Sequence, residues 1–278
     1  AGNSAAPMNA GNVVNEGFEL EASWRDNIGD FSYSVSGNIA TLKNEVTYLD
    51  PHVSGGRIEG STTMASNGSF SAFEEGFPVW DFRGYQVDHL NENGDPVFRD
   101  NDGNGSINAN DKAMIGKPMP DFTYGLTLTA SYKNFDLSVF GNGSVGNDVF
   151  MSYSYNRILY SLKEMYDQRW TPQNLSAKYA RPQLTNADKY GLSDAYVFDG
   201  SYFRIKQIQL GYTFPKQWTK KIMIDNLRVY ASLDNFFLFT KYPGLDPEVS
   251  STTTSGMGVD YGNYPTTKKV VFGLSVTF

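Results

Sequence analysis

The sequence contains no cysteine. Disulfides and thiolate metal sites are excluded, and the chain fits an oxidising compartment in which thiols are avoided. There is no surplus of basic charge. Thirty acidic residues against 23 lysines and arginines give a net charge of −7, which argues against nucleic acid as a partner. No stretch approaches ~18 consecutive apolar residues, so no transmembrane helix is expected. Membrane-spanning strands stay open, because a barrel strand is about ten residues of alternating character that hydropathy averages miss. A Gly-rich phosphate loop and a Ser/His/Asp set are also missing, so nothing indicates an enzyme. The first residues, Ala1 to Gly11, have neither a basic segment nor an apolar core and do not read as a signal peptide.

Aromatics, by contrast, make up 15% of the chain, with 18 Tyr and 19 Phe beside 27 Gly. That balance suits a β-protein with long loops. The last eleven residues set the pattern. Val270, Phe272, Leu274, Val276 and Phe278 fall on one face of a strand; Val271, Gly273, Ser275 and Thr277 fall on the other. The same alternation recurs upstream. Phe18, Leu20, Ala22 and Trp24 oppose Glu19, Glu21, Ser23 and Arg25, and a D-N-I-G-D turn leads to a strand over Phe31 to Thr41. Phe122 to Tyr132 and Phe135 to Val145 form a second pair around Lys133-Asn134. Further strands are expected over Tyr202 to Phe214, ended by Pro215, and over Asn226 to Asn235.

The expected fold is all-β, with seven antiparallel strands in which short turns alternate with long loops. The long loops cover about 43–120, 146–200 and 240–267. The first should carry short β structure around Trp80 to Val87, near an aromatic cluster of Phe77, Trp80, Phe82 and Tyr85. The second should carry a short amphipathic helix within Asn156 to Trp170, from Ile158, Leu159, Leu162, Met165 and Tyr166. In outer-membrane barrels short turns face the periplasm and long loops face outside. Trp24, Phe31, Tyr132, Phe135, Phe214, Trp218 and Phe278 are expected at the short-turn end, as an interfacial aromatic girdle. A soluble β-sandwich with aromatic strand ends is the bland alternative. Seven strands cannot close a bacterial barrel, since strand numbers are even and open edges are not tolerated in lipid. The chain is therefore expected to be a piece of something larger.

One stretch carries metal chemistry. Asp100 to Asp111 reads D-N-D-G-N-G-S-I-N-A-N-D. Asp100, Asp102 and Asn104 occupy loop positions 1, 3 and 5, and Gly105 the sharp-turn position 6. Ser106 offers a carbonyl at 7, Asn108 stands at 9 and Asp111 at 12. This is EF-hand-type spacing with Asp for the final Glu, and hard oxygen donors suit Ca²⁺. A solvated Asn/Gly/Asp turn is the alternative. The expected role is structural, inside a long extracellular loop. His52 and His89 have no partner at ligand spacing and are expected at the loop surface. Glu19, Glu21, Arg25, Arg228 and Asp234 are expected to face the lumen; paired carboxylates there could suggest glycosidase chemistry but are more simply solvated wall residues.

The segment Asp234 to Val249, D-N-F-F-L-F-T-K-Y-P-G-L-D-P-E-V, resembles a late motif of the SusC/RagA family of TonB-dependent outer-membrane transporters. It departs at Phe236-Phe237, where Leu-Phe is usual. Supporting matches are W-R-D-N-I-G-D-F-S-Y-S-V at Trp24 to Val35, P-D-F-T-Y-G-L at Pro120 to Leu126, and D-G-S-Y-F-R-I-K-Q-I-Q-L-G-Y-T-F-P at Asp199 to Pro215. The resemblance implies that residues 1–278 are the C-terminal part of a plugged barrel of about 22 strands, with 44–120 an extracellular loop region holding the calcium-type turn. It implies a bacterial outer-membrane importer of oligosaccharides or peptides. Its partners would be the rest of the transporter (plug and N-terminal strands), a SusD-like surface lipoprotein, the TonB complex and outer-membrane lipid. The rival reading is a secreted, calcium-stabilised β module that binds carbohydrate.

Overall fold

The computed structural model describes residues 9–60, 68–152, 162–182, 187–248 and 254–278. Seven strands form one antiparallel sheet: β1 (Glu19–Ile28), β2 (Phe31–Thr41), β3 (Phe122–Tyr132), β4 (Phe135–Val145), β5 (Tyr202–Thr213), β6 (Asn226–Thr240) and β7 (Lys269–Thr277). Each pairs only with its neighbours in chain order, so the sheet is a meander. Gly29-Asp30 joins β1 to β2 and Lys133-Asn134 joins β3 to β4. The first residue of each turn takes a positive φ, +61° at Gly29 and +53° at Lys133, which two-residue hairpins require. The third connection at this end, between β5 and β6, holds two short helical turns, Lys216–Thr219 and Lys220–Ile222.

Register converts the alternation into two continuous surfaces. Trp24, Val35, Leu128, Val139, Ile208, Leu233 and Val270 are successive cross-strand partners, forming one apolar row over all seven strands. The adjacent row on the other face runs Arg25, Ser34, Thr129, Ser138, Gln209, Ser232 and Val271. A one-residue slip would exchange the faces, so the pattern and the pairing specify each other.

The buried core lies elsewhere. None of the fully buried apolar side chains belongs to the seven strands; they belong to the long connections. Leu20, Trp24, Leu126, Leu210, Phe272 and Leu274 remain exposed. A stacked sandwich would have buried them. In the loop region the Phe150 ring stacks on Phe70 at 4.9 Å, with Phe82 edge-on at 6.0 Å. Tyr85, Met165, Tyr179, Tyr190, Leu192 and Val259 join that cluster. Strands Asp148–Met151, Val197–Asp199 and Val259–Asp260 form a small sheet that ties the second loop to the third. The long loops thus carry their own folded content, as their length demands.

Several expectations need correcting. The first hairpin does not stop at the wall: Lys43–Leu49 pairs with Gly11–Glu16 beyond it, so the first loop begins as sheet. β1 runs to Ile28, which moves Trp24 four residues from the turn into the mid-wall row and out of the girdle. β6 runs to Thr240 because Asn235, at φ +59°, forms a bulge that resets the alternation. The expected loop helix is one turn, Lys163–Asp167, with Met165 buried; Ile158 and Leu159 lie outside the described residues. The expected strand near Trp80 divides into Asp81–Gly84 and Val87–Leu90.

Candidate functional site

Aromatic side chains mark both ends of the apolar face. At the short-turn end one row reads Ile28, Phe31, Tyr132, Phe135, Tyr212, Val229 and Leu274. Phe135 and Tyr212 lie 4.7 Å apart, and Phe214 packs edge-on to Tyr212 at 5.1 Å. At the opposite end Tyr124 stacks on Phe203 at 5.7 Å, and Phe203 on Phe239 at 6.3 Å. The Tyr124–Phe203 stack crosses β4 at Gly141 and Gly143. A Cβ on Gly143 would lie 2.7 Å from the Tyr124 ring, and one on Gly141 would lie 2.7 Å from the Phe203 ring. Eight residues separate Tyr124 from Tyr132, about 27 Å along a strand and roughly 20 Å after barrel tilt. That is close to the ~25 Å apolar band of an outer-membrane barrel.

On the polar face, β5 holds the third loop. Arg204 is 3% exposed and reaches Asp246 at 2.5 Å through Nη2 and Glu248 at 2.5 Å through Nε. Lys206 donates to both Glu248 oxygens, at 2.6 and 2.8 Å, and the Tyr202 hydroxyl donates to Oε1 at 2.9 Å. Asp246 also accepts the N–H groups of Glu248, at 3.0 Å, and Thr266, at 2.8 Å. Burial alone would raise the Asp246 carboxyl. Those two N–H bonds, the Thr266 hydroxyl and Arg204 outweigh it and hold the group below its usual range. The result is a latch between a wall strand and the segment that follows β6. Lower on the same face Arg228 pairs with Asp136 and lies 5.1 Å from the Tyr230 ring. Glu19, Glu21, Arg25, Arg228 and Asp234 all share this polar face, as expected.

The oxygen-rich turn is compact. Asp100 accepts N–H bonds from Gly105 and Gly103 at 2.7 Å and from Asn104 at 3.2 Å, and these hold its carboxyl below the usual range. Gly103 and Gly105 take φ of +72° and +80°, which lets the chain fold around that carboxylate. Asp111 is fully buried and accepts from Asn101 at 2.9 Å, Asn108 at 2.7 Å and Asp102 at 3.4 Å. Ligand oxygens of Asp100, Asp102 and Asp111 lie within 4.8 Å of one another. Asn104 donates its amide to Asp102 at 2.7 Å, and Asn108 donates to the Ser106 carbonyl at 2.9 Å. Ile107, between them, packs on the loop core. Three converging carboxylates with no soft donor fit a hard divalent cation. His52 and His89 are exposed, and among the described residues they pair with neighbouring aspartates, Asp50 and Asp88.

Comparison with known proteins decides the family. The chain is 30% identical over its whole length to TonB-dependent receptor P3 of Formosa agariphila, and covers 30% of that protein. It is 32% identical over 99% of its length to TonB-dependent receptor SusC of Bacteroides thetaiotaomicron, covering 27% of it. The chain belongs to the SusC/RagA family of TonB-dependent transporters. The RagAB peptide transporter superposes with a TM-score of 0.78 at 22% identity, over 97% of this chain and 29% of that one. That likeness gives the fold, a transmembrane β-barrel wall. The chain spans about 30% of the length of the curated relatives it matches. No protein-family model matches it.

For a SusC/RagA wall the two faces acquire solvents: hydrocarbon against the apolar rows, water against the polar ones. TonB-dependent receptors are outer-membrane β-barrel proteins, and this chain carries part of such a wall. Two family segments that seemed unrelated in sequence also meet. R-I-K of β5 grips D-P-E after β6. The outer aromatic stack and the latch both escaped sequence reasoning, because the bulges at Lys206 and Asn235 break period two next to them.

The loop region contains one further buried cluster. Asp81 is fully buried, 2.8 Å from Arg83, which also reaches Glu74 at 2.9 Å and lies 3.9 Å over the Phe77 ring. Burial pushes Asp81 up to about 7 from its ordinary 3.8. The folded loop thus holds this proton more tightly than the unfolded chain does, so the group's stabilisation is greatest at acid pH. It is lost as pH rises from about 4 through about 7. Hydrogen exchange over 68–116 should be slower at pH 5.5 than at pH 8 after correction for intrinsic rates. Asp81→Asn should remove that slope.

Proposed function

We propose that this chain forms the C-terminal wall and outer loops of an active importer. It would supply seven of about 22 strands, the plug and TonB-contacting parts coming from the remainder of the transporter. Cargo would be oligosaccharide or peptide, gathered beneath a SusD-like lipoprotein lid, with TonB supplying the energy. The carrying observation is the apolar row from Trp24 to Val270, continuous over seven strands and uncovered by the rest of the chain, as a wall facing lipid would be. Supporting it are the similarity to SusC and the shared fold with RagAB, a peptide transporter. Short turns would face the periplasm and the loop core, with residues 44–120, would face outside. The test is uptake by cells whose full-length gene is deleted and restored. Oligosaccharide or peptide uptake should disappear with the gene and also with TonB; uptake indifferent to TonB would sink the reading. A secreted carbohydrate-binding module would be soluble without detergent, and the exposed apolar face argues against that.

Calcium belongs to the same reading. Asp100, Asp102, Asn104, the Ser106 carbonyl, Asn108 and Asp111 would hold Ca²⁺ and give the first loop a fixed centre. Removing calcium with a chelator should speed proteolysis within 68–116 and leave the wall strands protected. Cleavage at the same rate with and without chelator would exclude a structural cation there.

A further inference from the structure

The connection between β5 and β6 is longer than a hairpin needs. The other two turns at this end take two residues each; this one runs from Phe214 to Asp225. The extra residues fold as two helical turns in which Thr219 is buried and its neighbours are not. Trp218 is 61% exposed, Ile222 61% and Met223 86%. Lys216, Lys220 and Lys221 are exposed beside them. Lys216 pairs with Asp225 at 2.5 Å; Lys220 and Lys221 have no ion pair among the described residues. Met223 takes φ +57°, a left-handed conformation costly for a side chain this size, and it ends the second turn with its side chain in the open. The Asp225 N–H donates to Thr277 at 2.8 Å and the Phe214 N–H to Leu227 at 2.8 Å, so the element sits level with the aromatic row at the end of the apolar face.

We propose that this turn is a lipid anchor that binds the phosphate headgroups of anionic phospholipid in the adjoining leaflet. Both halves of the surface call for that partner. An aromatic ring and two aliphatic side chains, exposed at the rim of a greasy band, suit the acyl–headgroup boundary. Lysines beside them bury their stems and carry ammonium groups into the headgroup layer. The local charge opposes the rest of the chain: three lysines against Asp225 in a protein of net −7. An acidic protein would be repelled by an anionic leaflet except where such a cluster faces it. The inference rests on the barrel reading above and adds a headgroup preference to it.

The test uses the full-length transporter in detergent, with native mass spectrometry after addition of phosphatidylglycerol or phosphatidylcholine. The wild type should retain phosphatidylglycerol preferentially. Lys220→Gln with Lys221→Gln should reduce that retention by on the order of fivefold per lysine at low salt. Trp218→Ser should weaken retention of both lipids. Equal phosphatidylglycerol retention by wild type and the double lysine variant would overturn the proposal. So would complete displacement by inorganic phosphate, which would indicate a free-anion site, or a cross-link from this turn to a periplasmic protein in place of lipid. TonB-dependent uptake measured on the same variants separates the two claims: uptake retained while headgroup preference is absent refutes the anchor alone.

Discussion

Replacing Arg204 by alanine is expected to release the 241–268 segment from the wall while the seven strands stay paired. Arg204 is the most deeply buried member of the latch and, among the described residues, the one cation that pairs with both carboxylates. Its removal strands Asp246, a buried residue whose remaining partners are the Glu248 and Thr266 groups. Breaking a buried pair from one side costs about 3–5 kcal/mol, chiefly because a charge is left without its counter-ion. Lys206 still holds Glu248, so part of the contact survives and the lower end of that range is expected. Removing both sides together, as Arg204→Met with Asp246→Asn and Glu248→Gln, should cost less than Arg204→Ala alone. Hydrogen exchange of 241–248 and 254–268 in the full-length transporter reads this out. Unchanged protection in Arg204→Ala would mean that the loop core, through Tyr242 and Val259, holds the segment without help. The pH behaviour follows from Asp246. Its carboxyl is held below its unfolded 3.8, so its contribution is present above that value and is lost as pH falls through the depressed folded value. The latch should therefore persist at pH 5.

The wall was legible in the sequence because lipid imposes a period-two rule on every strand, and seven strands obeyed it. Boundaries were less legible. Trp24 looked like a strand-end aromatic because Asp26, Asn27 and Gly29 resemble a turn; in fact Asp26 pairs with Tyr33 and Asn27 with Ser32, and only Gly29-Asp30 reverse the chain. The extension Gly11–Glu16 was invisible because G-N-V-V-N-E is exposed throughout and does not alternate, and its partner Lys43–Leu49 buries Asn44, Val46 and Leu49 without a period-two apolar run. In the oxygen-rich turn donor spacing is local, and the three carboxylates that it places, Asp100, Asp102 and Asp111, converge. The latch was not legible, because Arg204 and Asp246 are 42 residues apart and meet only through the bulges that shift β5 against β6. Both partners nevertheless lie within the family-like segments, as R-I-K and D-P-E. Each segment carries the other's counter-charges.

A charge placed on the wall distinguishes its two faces more sharply than any loop variant. Leu128 lies midway between Tyr124 and Tyr132, in the row that joins Trp24 to Val270. An arginine there must reach water across half the apolar band, and at the midplane of a barrel this costs ~2–4 kcal/mol. Thr127, one residue away, points to the polar face between Ser36 and Phe140. An arginine at that position meets water and costs little by the same argument. Leu128→Arg should therefore lower the fraction of full-length transporter that runs as the compact, heat-modifiable form, and Thr127→Arg should not. The comparison is internal, since both variants add the same side chain to the same strand and hydrogen-bond ladder. Equal tolerance at the two positions would mean that water reaches both faces, and the uncovered leucines, valines and phenylalanines of the wall would then need a protein partner in place of hydrocarbon.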